Sequence, residues 1–180
     1  MSPMVRRSIT LEFALLGFLR QGPLHGYQLY RQLCDPAGLG RVWRLKQAQL
    51  YALLDKLEKD GYVTSSLQPQ KARPARRVFS LTAAGERTFQ DWLSTPVQAP
   101  RQMRQEFQAK LYFSQRESQE APERLIAVQR AACQHWLEYQ QTLAIKDDHD
   151  HSYAWQVDQY RVGQIRAMLD WLDICQEKLK

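Results

Sequence analysis

One stretch constrains this chain more than any other: QLYALLDKLEKDGYV, residues 49–63. Leu50, Leu53, Leu54 and Leu57 recur at the i, i+3, i+4, i+7 spacing of one helix face. Asp55, Lys56, Glu58 and Lys59 fill the other faces. Gly61 supplies the stop, because glycine accepts the left-handed backbone that commonly ends a helix. The helix begins between Leu45 and Gln47, with no Ser or Thr in the usual capping place. A helix of this kind must bury its leucines, and it leaves the opposite face for solvent or a partner.

The flanking segments say what it is buried against. Leu11, Ala14, Leu15, Phe18 and Leu19 predict a first helix, stopped at Gly22-Pro23. A second, short helix starts near Leu24 and runs through Tyr27, Leu29, Tyr30 and Leu33, before CDPAGLG breaks the chain. After the leucine helix, residues 62–68 and 76–82 read as extended, joined by the turn-rich PQKARPA, and so predict a β-hairpin. Thr82 is placed to cap a further helix carrying Phe89, Trp92 and Leu93. The Pro-containing segment 94–100 marks a boundary, giving domains over 8–95 and 96–180.

The second half is helical by pattern, over 101–117, 122–145 and 153–179. Met103, Phe107, Leu111 and Tyr112 mark the first helix; Leu125, Val128, Ala132, Trp136, Tyr139 and Leu143 mark the second. Val157, Arg161, Gln164, Met168, Trp171 and Cys175 form a wide seam in the third, flanked by Ile165, Leu169 and Leu172. That seam suits helix-on-helix packing within or between chains.

Charge separates the halves. Residues 1–95 carry 14 Lys+Arg against 7 Asp+Glu, a balance of +7; the remainder carries 11 against 12, a balance of −1. Residues 62–80 hold Lys71, Arg73, Arg76 and Arg77 and no acid. A basic head beside a near-neutral body points to a polyanionic partner for the head. Three helices, a two-stranded basic wing and a helix is the order of a winged helix-turn-helix, in which the third helix enters a major groove. The candidate reading residues are Arg44, Lys46, Gln47, Gln49 and Tyr51: Arg and Lys donate to guanine, and Gln pairs with adenine. Tyr51 has two open roles, core packing or a hydroxyl on a phosphate. The wing cations Lys71, Arg73, Arg76 and Arg77 are the candidates for phosphates or an adjacent minor groove.

Other classes find little support. There is no Ser/His/Asp spacing, no phosphate-cradling glycine loop and no paired carboxylate turn, so no enzyme and no cofactor are expected. His25, a lone histidine without a nucleophile, reads as structural. Asp148, His149, Asp150 and His151 carry ligand-type groups, but their spacing matches no metal-site class, and a solvated connector is the expectation. Cys34, Cys133 and Cys175 are odd in number and far apart, which predicts reduced thiols. The apolar stretch after Arg6-Arg7 has helical spacing and no small-residue cleavage site, so a signal peptide is not expected and a cytoplasmic protein is.

Four motifs in order resemble the PadR family of bacterial transcriptional regulators: Leu15-Leu16-Gly17; Gly22-Pro23-Leu24-His25-Gly26-Tyr27; Leu50-Tyr51 through Gly61; and Leu81-Thr82-Ala83-Ala84-Gly85. EFQAKLYF (106–113) and residues 155–179 are similar to that family's Vir-like helical C-terminal domain. The resemblance implies a mainly α protein: a winged helix-turn-helix with a two-stranded wing, followed by an all-helical dimerisation domain. It implies a homodimer on double-stranded DNA, usually repressing transcription, with a palindromic operator read by the 46–60 helix and the 62–81 wing. It also implies, for some members, a phenolic or drug effector in the helical body or dimer interface. Trp136, Tyr139, Trp155, Tyr160 and Trp171 are the aromatics there that a flat effector could meet, although core and dimer packing account for most of them. Lys46-Gln47-Ala48-Gln49 departs from the Ser and small residue that many members carry before the Leu-Tyr pair, so base preference does not transfer.

Overall fold

The computed structural model describes residues 10–69, 75–146 and 152–179. Lys71, Arg73 and the Asp148–His151 cluster lie outside the described residues. The chain divides into two compact units, with the division between Ser94 and Thr95. No helix among the described residues is long and apolar enough to cross a membrane.

In the first unit, helix α1 (Thr10–Leu19) leads to strand β1 (Leu24–His25) and helix α2 (Gly26–Leu33). A 3-10 turn (Leu39–Arg41), helix α3 (Gln47–Lys59), strands β2 (Val63–Gln68) and β3 (Arg76–Leu81) and helix α4 (Ala83–Ser94) complete it. Leu50, Leu54 and Leu57 of α3 are buried with Leu15, Leu29, Leu33 and Phe79; each such side chain contributes about 1.5–3 kcal/mol by leaving water. Leu53, expected in the same stripe, is half-buried. Helix α1 is buried almost all round, Glu12 included, and the Glu12 carboxylate accepts from Lys56 Nζ of α3 at 2.6 Å. A buried charge needs such a partner.

Helix α3 ends as the sequence predicts. Gly61 has φ +78°, the Tyr62 N–H donates to Leu57 O at 2.9 Å, and the Gly61 N–H donates to Glu58 O at 3.0 Å, which is the Schellman pattern. Thr82 Oγ1 accepts from the Gly85 N–H at 3.0 Å and donates to Gly61 O at 2.8 Å, so one hydroxyl caps α4 and ties it to the end of α3. Gly85 packs so close that a Cβ there would lie 2.2 Å from Tyr62 O, which accounts for glycine in the Leu-Thr-x-x-Gly motif.

The sheet has three strands, in the order β1-β3-β2, all antiparallel. Strands β2 and β3 form the expected two-stranded wing, and β1 adds a third strand to the sheet. Leu24 and His25, expected to begin the second helix, instead pair with Phe79 and Val78. Two residues show no periodicity, so only the proximity of β3 reveals this strand.

The second unit contains a 3-10 segment (Pro100–Arg104) and helices α5 (Glu106–Ser114), α6 (Ala121–Lys146) and α7 (Tyr153–Leu179). The helix expected over 101–117 is thus split at its start. Arg130 pairs with Asp173, and Gln140 donates a hydrogen bond to Asp158, so α6 and α7 run antiparallel. Val97, Met103, Phe107, Leu125, Ile126, Cys133, Ile165 and Leu172 form the core. The face of α7 that is buried is Asp158, Val162, Ile165 and Leu172, not the expected seam. Val157, Gln164, Met168, Trp171 and Cys175 are half-buried and Arg161 is exposed. Val162, Ile165 and Leu172 make that face apolar, and Asp158 joins them at 6% exposed, accepting from Gln140 Nε2 at 2.6 Å, so a polar residue occupies a core position. Cys133 is buried, Cys34 and Cys175 are half-buried, and all three are free thiols.

Lys110 is also buried, its Nζ donating to Thr95 O at 2.6 Å. Burial lowers its ammonium from 10.5 to about 8, with Glu106 opposing the shift. Between those values the unfolded chain holds a proton that the folded chain has lost. This group's contribution to stability is therefore constant below about 8 and rises with pH towards 10.5. The denaturation midpoint of the parent chain, relative to Lys110→Met, should climb across that window; parallel pH profiles would contradict the desolvation.

Candidate nucleic-acid interface

The N-terminal turn of α3 stands at the surface because its neighbours are anchored. Trp43 and Leu50 are buried, while Arg44, Lys46, Gln47, Ala48 and Gln49 between them are exposed, with Leu45 half-buried. Lys46 is the N-cap, with extended backbone, and the first turn contains no acid. The unpaired N–H groups and the dipole of a helix start favour an approaching anion.

Gln49 is engaged within its own helix. Its Oε1 accepts from the Lys46 N–H at 2.9 Å. Bidentate pairing with adenine needs both the oxygen and the amide nitrogen, so reading by Gln49 would draw that oxygen from the cap. Gln28 does the same at the start of α2, accepting from the His25 N–H at 2.9 Å. Each glutamine is the third residue of its helix and supplies the return bond of a capping box, onto the N–H of the residue that precedes the helix. Gln47 makes no side-chain hydrogen bond or ion pair among the described residues, and its amide is available to a base edge.

Tyr51 is half-buried, with its ring against α2: a Cβ on Gly26 would meet Tyr51 Cε1 at 2.6 Å and its hydroxyl at 2.8 Å. It also lines a cleft of about 540 Å³ with His25, Gly26, Tyr27, Gln28, Ala75, Arg76 and Arg77. The ring packs, and the residue borders the opening as well. The cleft brings the Gly-Pro-x-His-Gly-Tyr motif, read from sequence as a structural turn, beside the wing and α3. Tyr27, read from the sequence as part of the second helix and of this motif and given no site role, is 57% exposed there.

The strand pleat separates the two wing arginines. Alternate residues of a strand face opposite sides. Arg76 is exposed. Arg77 shares its face with the buried Phe79, lies over that ring at 4.8 Å, and turns to α3. Its Nη1 donates to Asp55 Oδ1 at 2.5 Å, its Nη2 to Glu58 Oε2, and its Nε to Ser65 Oγ at 2.9 Å. Ser65 Oγ in turn donates to Glu58 Oε1 at 2.6 Å. The Ser65 hydroxyl and then Arg77 hold the Glu58 carboxyl below its ordinary value, against the opposing effect of burial. Hydrogen bonding to Asp55 and Glu58 raises the Arg77 guanidinium. The sequence assigned Arg76 and Arg77 the same phosphate role; the structure places the guanidinium of Arg77 on carboxylates of its own chain.

An exposed helix start backed by two further helices, with a basic hairpin at its side, defines the first unit as a winged helix-turn-helix domain. Residues 15–91 match the transcriptional regulator PadR-like family. The chain is 33% identical over 103 residues to the negative transcriptional regulator PadR of Bacillus subtilis, covering 57% of this chain and 56% of that one. It is 25% identical over 93 residues to a probable transcriptional regulator of Mycobacterium tuberculosis, covering 52% and 48%. The chain spans about half the length of the curated relatives it matches. A crystal structure of Bacillus subtilis PadR in complex with operator DNA is similar at 25% identity, covering 94% of this chain and 99% of that one, with a TM-score of 0.47. The first unit is thus similar, over residues 15–91, to the PadR-like family of transcriptional regulators.

The capping geometry separates the two glutamines experimentally. Gln49→Ala should lower unfolding stability by about 0.3–1.5 kcal/mol, the range for removal of a capping interaction. Gln47→Ala should stay within about 0.5 kcal/mol of the parent. Equal thermal unfolding of both variants would remove Gln49 from the cap.

Proposed function

We propose that the chain is a sequence-specific DNA-binding transcriptional regulator that acts as a homodimer and represses. The observation that carries this reading is the acid-free start of α3, where the side chains of Arg44, Lys46 and Gln47 are exposed and make no hydrogen bond or ion pair among the described residues. Arg44 and Lys46 supply charge at the groove, and Gln47 supplies the two-sided amide that reads adenine. Arg76 on the wing neutralises phosphate, with Lys71 and Arg73 assigned the same part from the sequence. The name of the Bacillus subtilis relative, a negative regulator, supports repression. Tyr139, Tyr153, Tyr160 and Ile174 of α6 and α7 are exposed in a single copy, which supports pairing of the 96–180 region with a second chain. The proposal places the protein in the cytoplasm, with the DNA it reads.

A dimer of such heads reads a palindrome with half-sites about one helical turn apart. Selection of bound duplexes from a random pool at fixed salt should return two-fold symmetric sequences. On the selected operator, Arg76→Ala should lower the slope of log affinity against log salt by about 0.9, the value for one phosphate no longer neutralised. Asymmetric sequences would overturn the dimeric reading, and an unchanged slope would take Arg76 off the phosphates.

A second reading adds an effector. Trp136 and Trp171 are partly buried beside the core of the second unit, and Trp171 meets Phe107 edge-on at 5.8 Å, which supports a surface that a flat aromatic molecule could enter. Titration with phenolic acids should then change tryptophan fluorescence and weaken operator binding together. Fluorescence change with constant operator affinity would argue against an effector, because a switch needs different ligand affinity in its two states.

A further inference from the structure

Arg77 is the most heavily engaged cation of the wing among the described residues. Three of its N–H groups reach three partners on two other elements: Asp55 and Glu58 on α3, and Ser65 on β2. The two carboxylates stand three residues apart, the spacing that puts them on one helix face. They receive the guanidinium fork from the side while the plane lies over Phe79. The side chain is 34% exposed, against 59% for Asp55 and 33% for Glu58. The network is therefore partly sheltered, and geometry rather than bare charge holds it: an ammonium on a flexible stem cannot span the same three partners in a plane.

We infer that Arg77 is a positioning residue, which locks the wing hairpin to α3 and neutralises Asp55 and Glu58 beside the proposed DNA surface, rather than a phosphate ligand. This inference rests on the DNA-binding reading above. For Arg77 to take a phosphate it would leave two carboxylates uncovered and free the wing from the helix it accompanies. Arg76, its neighbour on the opposite face of the strand, needs no such exchange.

The two roles predict opposite signs in one experiment. In the full chain, Asp55→Asn combined with Glu58→Gln removes two negative charges near the DNA. Simple electrostatics, or an Arg77 released to bind phosphate, makes operator binding tighter. Positioning makes it weaker, because the wing loses its hold on α3. Fluorescence anisotropy with the selected operator and a scrambled duplex, well below the unfolding temperature, should show operator affinity reduced about tenfold, the scale of one charge-assisted hydrogen bond. The preference for operator over scrambled duplex should fall as well. A second comparison decides the matter if the double variant does not fold: Arg77→Lys should lose as much operator affinity as Arg77→Met, whereas a phosphate ligand would be largely rescued by lysine. Unchanged or tighter binding by the double variant, or rescue by lysine, overturns the inference. If the parent chain itself binds no duplex, the DNA-binding reading fails instead, and the two failures are distinct.

Discussion

The burial of three leucines on one side of α3 is the interaction on which the first unit depends. Leu50, Leu54 and Leu57 are buried where α3 meets α1, α2 and β2, and this fixes the rotation of α3 about its axis. With that rotation set, Gln47, Ala48 and Gln49 at the start of the helix face outward. The hydrophobic contact is non-directional in itself, yet a helix with a single apolar stripe converts it into a direction for every other side chain.

The ends of α3 are held by different means. At its C-terminus, Gly61 and the Thr82 hydroxyl join the helix to the strand and helix that follow. At its N-terminus the Gln49 side chain returns to accept from the Lys46 N–H. A hydrogen-bonded C-terminal end and an exposed N-terminal turn suit the role proposed for this helix, since polar groups remain available at one end while the other is tied to its neighbours. Along its length, Asp55 and Glu58 meet Arg77, so the helix and the hairpin beside it behave as one surface.

The second unit follows another rule. Its two long helices enclose an apolar core but also bury a Gln–Asp pair, and a lysine of α5 is buried with its ammonium on a backbone carbonyl. Such polar groups are costly unless paired, and the Gln–Asp pairing defines which residues of one long helix lie opposite which of the other. Polar partners therefore set the register of α6 against α7, with the aliphatic side chains filling the space between.

Much of the architecture was legible in the residues themselves. The leucine stripe, Gly61, Thr82 and the alternating β2 and β3 segments are local patterns with periods of 3.6 and 2, and local steric rules suffice to read them. The basic head was equally visible, because charge adds along a chain regardless of folding. Three features came only with tertiary structure. Leu24-His25 is a strand because β3 runs past it. Asp158 is a core residue because Gln140 of another helix satisfies it, on the same buried face of α7 as Val162, Ile165 and Leu172. Arg76 and Arg77, identical neighbours in the sequence, face opposite sides of a pleat, and only the position of Asp55 and Glu58 in space decides that one remains exposed while the other is bound within the chain. Periodicity reports which side of an element is apolar; it carries no information on which distant group will meet a charge, and that meeting is what assigns these residues their roles.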